Sequence, residues 1–173
     1  GHMNANFERM LQNTTKTLTF EILEIDIDDE SSYRLLCQLL QQCSSLKHLD
    51  IHWQMNTEES KKMLLNLPFI DKCEEITIHS DFMDDELFLS LLSRSSGYMY
   101  IDYIQNSITA LGLAYAFQMM YSGKRKGSIR CAPSFREWCS FRRELLASSD
   151  FELISMPGHE VCKHIESGAT FVR

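Results

Sequence analysis

The sequence has 173 residues, 44% of them hydrophobic and 24% charged, with a net charge of −7. That length suits one domain burying about two thirds of its unfolded surface without disulfide or metal staples, and the apolar content excludes a disordered chain. The charge is uneven: residues 1–90 hold 7 Lys/Arg against 17 Asp/Glu, or −10, and residues 91–173 hold 10 against 7, or +3, so the first half would repel phosphates and only the second could attract them.

Gly1-His2-Met3 reads as a cloning remnant and is set aside. Residues 4–173 are expected to form a single α/β repeat-like domain excised from a larger chain. A strand-like run, Leu18–Ile27, comes first. A helix over Ser31–Cys43 follows, with Leu35, Leu36, Leu39 and Leu40 at one-turn spacing. Leu46–Trp53 is the second strand, and Thr57–Asn66 the second helix, with Met63, Leu64 and Leu67 on its stripe. Glu75–His79 precedes a helix over Asp84–Arg94. There Leu87, Leu91 and Leu92 face inward, and acidic Asp84, Asp85 and Glu86 suit the positive end of the dipole. Tyr98–Ile104 leads into a helix over Ser107–Tyr121, with Gly123 placed to cap its C-terminus. The longest apolar run, Ile108 to Met120, is too short to span a bilayer and contains Gln118, so it predicts a buried helix. Gly127–Cys131 precedes the helix Ser134–Ala147. Ser134 and Glu137 have the spacing of a capping box there, and Phe135, Trp138 and Phe141 that of a core stripe. Phe151–Met156 is the last strand, expected to cap the sheet edge.

The alternation has a period. Ile22, Leu49, Ile76, Ile101 and Ile129, the central apolar residues of five strands, are separated by 27, 27, 25 and 28 residues. A strand plus helix recurring at that interval is leucine-rich-repeat spacing, and Leu46-Lys47-His48-Leu49-Asp50-Ile51 carries the L-x-x-L-x-L pattern intact. The expected fold is therefore an irregular leucine-rich-repeat-like α/β solenoid, a parallel sheet with helices on one face. One strand and one helix cannot cover their own apolar surface, so neighbouring units must cover each other. An ordinary three-layer α/β domain with accidental spacing is the alternative.

Strand alternation then names the residues of the open face. His48, Asp50 and His52 point out from the second strand, Glu75, Thr77 and His79 from the third, and Tyr98, Tyr100 and Asp102 from the fourth. Central alignment predicts three rows: Asp50–Thr77–Asp102, His52–His79, and His48–Glu75–Tyr100. A polar face with tyrosines beside charges suits protein recognition.

Other chemistries lack their signatures. Six cysteines, with no C-x-x-C pair, predict reduced thiols and a cytoplasmic or nuclear protein. His52, His79 and Asp50 fall close together, but the strand repeat alone explains that spacing, and a zinc site needs three or four converging donors. No metal and no cofactor are expected. There is no phosphate-binding loop and no nucleophile–base signature, so no enzyme is expected and no catalytic residue is assigned. The basic loop Lys124-Arg125-Lys126, extended by Arg130, Arg136, Arg142 and Arg143, is a candidate contact for an acidic partner or a phosphate backbone.

The order of leucine-rich-like units, then Tyr121-Ser122-Gly123-Lys124-Arg125-Lys126-Gly127, then the helix Phe135–Leu145, then Ile165-Glu166-Ser167-Gly168-Ala169-Thr170 carries a resemblance. Over residues 15–173 the chain resembles the domain that follows the F-box in nematode F-box proteins. The resemblance implies a non-enzymatic partner- or substrate-recognition module. In such proteins the F-box binds a Skp1-type adaptor of a cullin ubiquitin ligase, and this stretch shows no F-box. The expected partner is another protein, with no membrane association. A nucleic-acid-associated or RNA-regulatory adaptor using the basic half is the alternative.

Overall fold

Among the described residues, every helix starts at a side chain that accepts a hydrogen bond from an otherwise orphaned backbone N–H. The computed structural model describes residues 18–173 except 69, 71, 72, 81, 96, 103–106 and 125–127, and describes Asp102 by its backbone alone. The elements run β1 (Leu18–Ile27), α1 (Glu30–Gln42), β2 (Cys43–Trp53), α2 (Glu58–Leu65), β3 (Glu75–Ser80), α3 (Asp85–Arg94), β4 (Tyr98–Asp102), α4 (Ala110–Tyr121), β5 (Ile129–Cys131), α5 (Phe135–Leu146), β6 (Phe151–Met156), β7 (His159–His164) and β8 (Thr170–Val172). The caps are Asp29, Thr57, Asp84, Thr109 and Ser134, one per helix. At α1 and α2 the cap and a serine three residues on, Ser32 or Ser60, serve each other's backbone N–H.

The strands form one eight-stranded, mostly parallel sheet in the order β1-β2-β3-β4-β5-β8-β7-β6. The first five are parallel neighbours in chain order, with a helix in each crossover. Leu49, Ile51, Ile76, Ile78, Met99, Ile101 and Ile129 are all buried, and share one apolar cluster with Leu36, Leu40, Leu64, Leu91, Leu113 and Phe117 of the helices. That shared core holds these strands against the helices, which cover their apolar side.

The helix starts are also tied sideways. Lys61 of α2 bonds the Asp84 cap of α3 at 3.1 Å. Asp85 of α3 accepts from the backbone N–H and hydroxyl of Thr109, the α4 cap, at 2.8 and 2.6 Å. Glu137 of α5 accepts from the Ala110 N–H at 2.8 Å. This corrects the expected capping box. Ser134 does accept from the Glu137 N–H, but the Glu137 carboxylate serves the neighbouring helix, where an anion also meets the favourable end of the α4 dipole.

The ladder differs from the expected alignment at two strands. Leu23, not Ile22, pairs with Leu49, and Ile22 is 64% exposed. Met99, not Ile101, stands beside Ile76, and Ile101 pairs with Ile78. The true equivalents are thus Leu23, Leu49, Ile76, Met99 and Ile129. In β1, Ile22 and Leu23 are adjacent and both apolar, so composition does not choose the phase, and a one-residue slip exchanges the faces. In β4 the phase is right, but the ladder is displaced by two residues.

The chain end holds the largest difference. Phe151–Met156 is the sheet's outer strand, yet it does not follow β5. Two further strands intervene, β7 antiparallel to β6 and β8 parallel to β5. Met156 pairs with His159 across Pro157-Gly158, with Gly158 at φ 84, a two-residue turn that needs a residue tolerant of positive φ. Phe117 packs against Phe141, Phe151 and Phe171, and Tyr121 stacks on His164 at 4.7 Å. Of the expected α5 stripe, Trp138 and Phe141 are buried, but Phe135 is 71% exposed, with the Arg173 guanidinium 5.6 Å from its ring centre. Gly123 follows the α4 cap at φ 73, as expected of a C-terminal stop. Among the described residues no helix is long and apolar enough to cross a membrane.

No disulfide joins the six cysteines. Burial pushes the Cys131 thiol well up and the Cys162 thiol up to about 12, from an ordinary 9.0. The unfolded chain releases these protons near 9.0 while the fold keeps them, so stability is present below that value and is lost as pH rises above it. Each thiol contributes a slope approaching ~1.4 kcal/mol per pH unit. Urea midpoints should therefore fall between about pH 8 and pH 10, and the fall should be smaller in C131A. An unchanged midpoint would remove this account.

Candidate functional site

The polar residues of β2, β3 and β4 alternate with the buried ones, so they occupy the sheet surface opposite the apolar cluster. The structure brings them together in rows set by the parallel ladder. His48, Glu75 and Tyr98 form one row, Asp50, Thr77 and Tyr100 the next, and His52, His79 and Asp102 the third. The expected pairings within β2 and β3 hold, whereas the β4 residues each sit one row over. Tyr100 takes the place expected for Asp102, and Tyr98 that expected for Tyr100.

Thr77 is not open to a partner. It is only 5% exposed, and its hydroxyl is bonded to His48 Nε2 at 2.9 Å. His48, Glu75, Tyr98 and Tyr100 are half-buried, which leaves edges and tips available rather than whole side chains.

The third row holds a close contact between two rings. The imidazoles of His52 and His79 stack at 4.2 Å with 13° between their planes. Asp50 lies one row back and places Oδ1 3.2 Å from His79 Nε2 and 3.8 Å from His52 Nε2. A parallel ladder puts residues of the same register about 4.8 Å apart, close to the 4.2 Å between the ring centres, so the stack follows from the pairing of His52 with His79. Asp102 continues this row at the register position beside His79.

At its β5 end the face becomes cationic and aromatic. The Arg130 guanidinium lies 5.0 Å from the centre of the Tyr100 ring, within cation–π range. Burial raises the Tyr98 phenol, with Arg130 acting against it. Beyond β5 the surface dips into a concavity of about 500 Å³ lined by Tyr100, Arg130, Met156, His159, Glu160 and Arg173. The sequence reading missed this boundary, because it rests on the β6–β7 hairpin. The Pro157-Gly158 dipeptide was the available signal.

The basic segment is divided. Lys124 is exposed after α4, and Arg125 and Lys126 lie outside the described residues. Arg130 belongs to β5 and the polar face. Arg136, Arg142 and Arg143 belong to α5, where Arg142 pairs with Glu160 at 3.2 Å. Arg130 and the three α5 arginines therefore lie on different elements.

No family model matches the sequence, and no characterised protein or solved structure matches it either.

Proposed function

We propose that this chain is a non-enzymatic recognition module that binds another protein through the polar face of β2–β5. In this reading it is an irregular leucine-rich-repeat-like solenoid with helices on one face, acting in the cytoplasm or nucleus as the partner-capturing part of an F-box-type protein. The observation that carries it is the run of three polar rows over adjacent parallel strands, ending in Tyr98, Tyr100 and Arg130. Tyrosine and arginine are the residues on which interface energy concentrates. The resemblance to F-box-associated domains supplies the biological setting. Adaptor binding and ubiquitin transfer would need a segment outside this sequence.

The test is quantitative co-purification from native cells with Y100A and R130A, against R143E on α5 as a control. The sheet-face variants should lose the partner about tenfold or more, as interface anchors do, and R143E should keep it. Loss with R143E alone would move the contact to the helices. Binding to single-stranded RNA that falls steeply with salt would favour the nucleic-acid reading instead.

A further inference from the structure

We propose that Asp50, His52 and His79 form a binding site for a divalent transition-metal ion, with zinc as its natural probe. Among the described residues this is the one group of three whose donor atoms all lie within 4.8 Å of one another. Its central observation is Asp50 Oδ1. That oxygen is shut off from water and makes no hydrogen bond, although it lies 3.2 Å from His79 Nε2 and 3.8 Å from His52 Nε2. The approach is close enough for an ion pair but lacks the alignment of a hydrogen bond. A buried carboxylate oxygen left in that state has lost its hydration without a replacement, whereas a cation between the three atoms would satisfy it.

The donor chemistry selects the ion. Two imidazoles and one carboxylate suit zinc and its borderline neighbours, while calcium and magnesium prefer all-oxygen shells. Tetrahedral zinc bonds nitrogen and oxygen at roughly 2.0–2.2 Å, which sets its ligand atoms about 3.4 Å apart. The two oxygen–nitrogen separations bracket that value, and the two imidazoles, now stacked with 13° between their planes, must turn out of the stack for both nitrogens to face one ion. Three protein donors leave a fourth position for water. The ladder explains why the site exists: Asp50 and His52 are two apart on β2, hence on the same face, and His79 stands directly beside His52 on β3. An ion there would clamp β2 to β3. The site shares Asp50, His52 and His79 with the polar face proposed for partner binding but not Tyr100 or Arg130, so zinc titration and the Y100A and R130A co-purification report on the two readings separately.

The experiment uses the full chain with reduced cysteines and with H2A, so that the N-terminal histidine cannot contribute. Zinc chloride is titrated by calorimetry while imidazole nitrogen–proton spectra are recorded. One equivalent should bind, shifting His52 and His79 and leaving His48, His159 and His164 in place. Melting temperature should rise by roughly 5–10 °C at a hundredfold excess over Kd. H52Q and H79Q should each weaken binding by more than the ~10–100-fold that supporting residues typically command. Cobalt should give ligand-field bands without a thiolate charge-transfer band. Failure to bind zinc, equal affinity in the double H52Q/H79Q variant, or a thiolate band would each overturn the site. The wild-type spectra decide the matter even if a variant folds poorly.

Discussion

Replacing Trp138 by alanine is expected to cost about 3–5 kcal/mol, the range for removing a large aromatic from a packed core. Trp138 is 1% exposed and joins three parts of the chain end. It sits on α5, its ring is 5.4 Å from Phe141 and 6.3 Å from Phe171 of β8, and its indole N–H donates to Glu160 of β7. Losing the ring opens a void between helix and sheet. It also removes a donor from Glu160, which keeps only Arg142 at 3.2 Å among its side-chain partners described above. A domain of this size loses about 2–4 °C of melting temperature per kcal/mol, so Tm should fall by roughly 6–20 °C. W138F should lose less, about 1–3 kcal/mol, because it keeps most of the volume and forfeits the hydrogen bond. Trp53 is then the remaining tryptophan, and its fluorescence reports whether β2 melts together with the chain end. A loss under about 1 kcal/mol in W138A would show that the C-terminal strands do not depend on this contact.

G97A is expected to be nearly as damaging for a different reason. A Cβ on Gly97 would lie 2.1 Å from the carbonyl oxygen of Glu74 and 2.7 Å from that of Cys73. Both are backbone atoms of the segment leading into β3, and neither can swing aside. The same Glu74 oxygen accepts the Tyr98 N–H at 2.8 Å, the bond that starts β4 beside β3. The substitution must push the two strand starts apart or break that bond. The cost should reach the upper end of overpacking effects, about 3 kcal/mol or more. Urea denaturation measures it, and amide exchange at Tyr98 locates it. Wild-type stability in G97A would mean that the two segments do not approach this closely. A fall in stability without faster exchange at Tyr98 would place the strain elsewhere.

These two positions differ in how readily the sequence reveals them. Trp138 and Phe141 recur at one-turn spacing after a clear start signal, so their burial follows from the helical period. Phe135 belongs to the same spacing and yet is exposed. It sits at the first helical position, beyond the edge of the sheet-facing stripe, with Arg173 above it. Gly97 carries no local signal, because its constraint comes from carbonyls more than twenty residues earlier. The same holds for the candidate site. Alternation places His48, Asp50, His52, Glu75 and His79 on one surface, and the alignment of Leu49 with Ile76, 27 residues on, sets β2 beside β3. The displacement of Tyr98, Tyr100 and Asp102 by one row depends on how the chain returns from α3 to β4, which spacing between central residues does not measure. That Thr77 is buried under His48 is likewise a matter of side-chain contact across strands.

The C-terminal strands show the limit most clearly. His159–His164 is too polar, and Thr170–Val172 too short, for pattern to mark them as strands. Both become strands because the unpaired edge of β5 accepts β8 and the aromatic nest around Phe117 holds the hairpin against α4 and α5. What the amino-acid sequence determined by itself was therefore periodic and local: six of the strands and five helices, the Ser134 cap and the Gly123 stop, and the polar side of β2 and β3. Only the tertiary structure decided the ladder register at β1 and β4, the insertion of β8 and β7 inside β6, and the ring stacking and close approach of the Asp50 carboxylate at the two imidazoles. Hydrophobic period reports which way a side chain points. It carries no information about which residue of a distant strand will stand beside it, since that is set by loop lengths and by packing across the whole core.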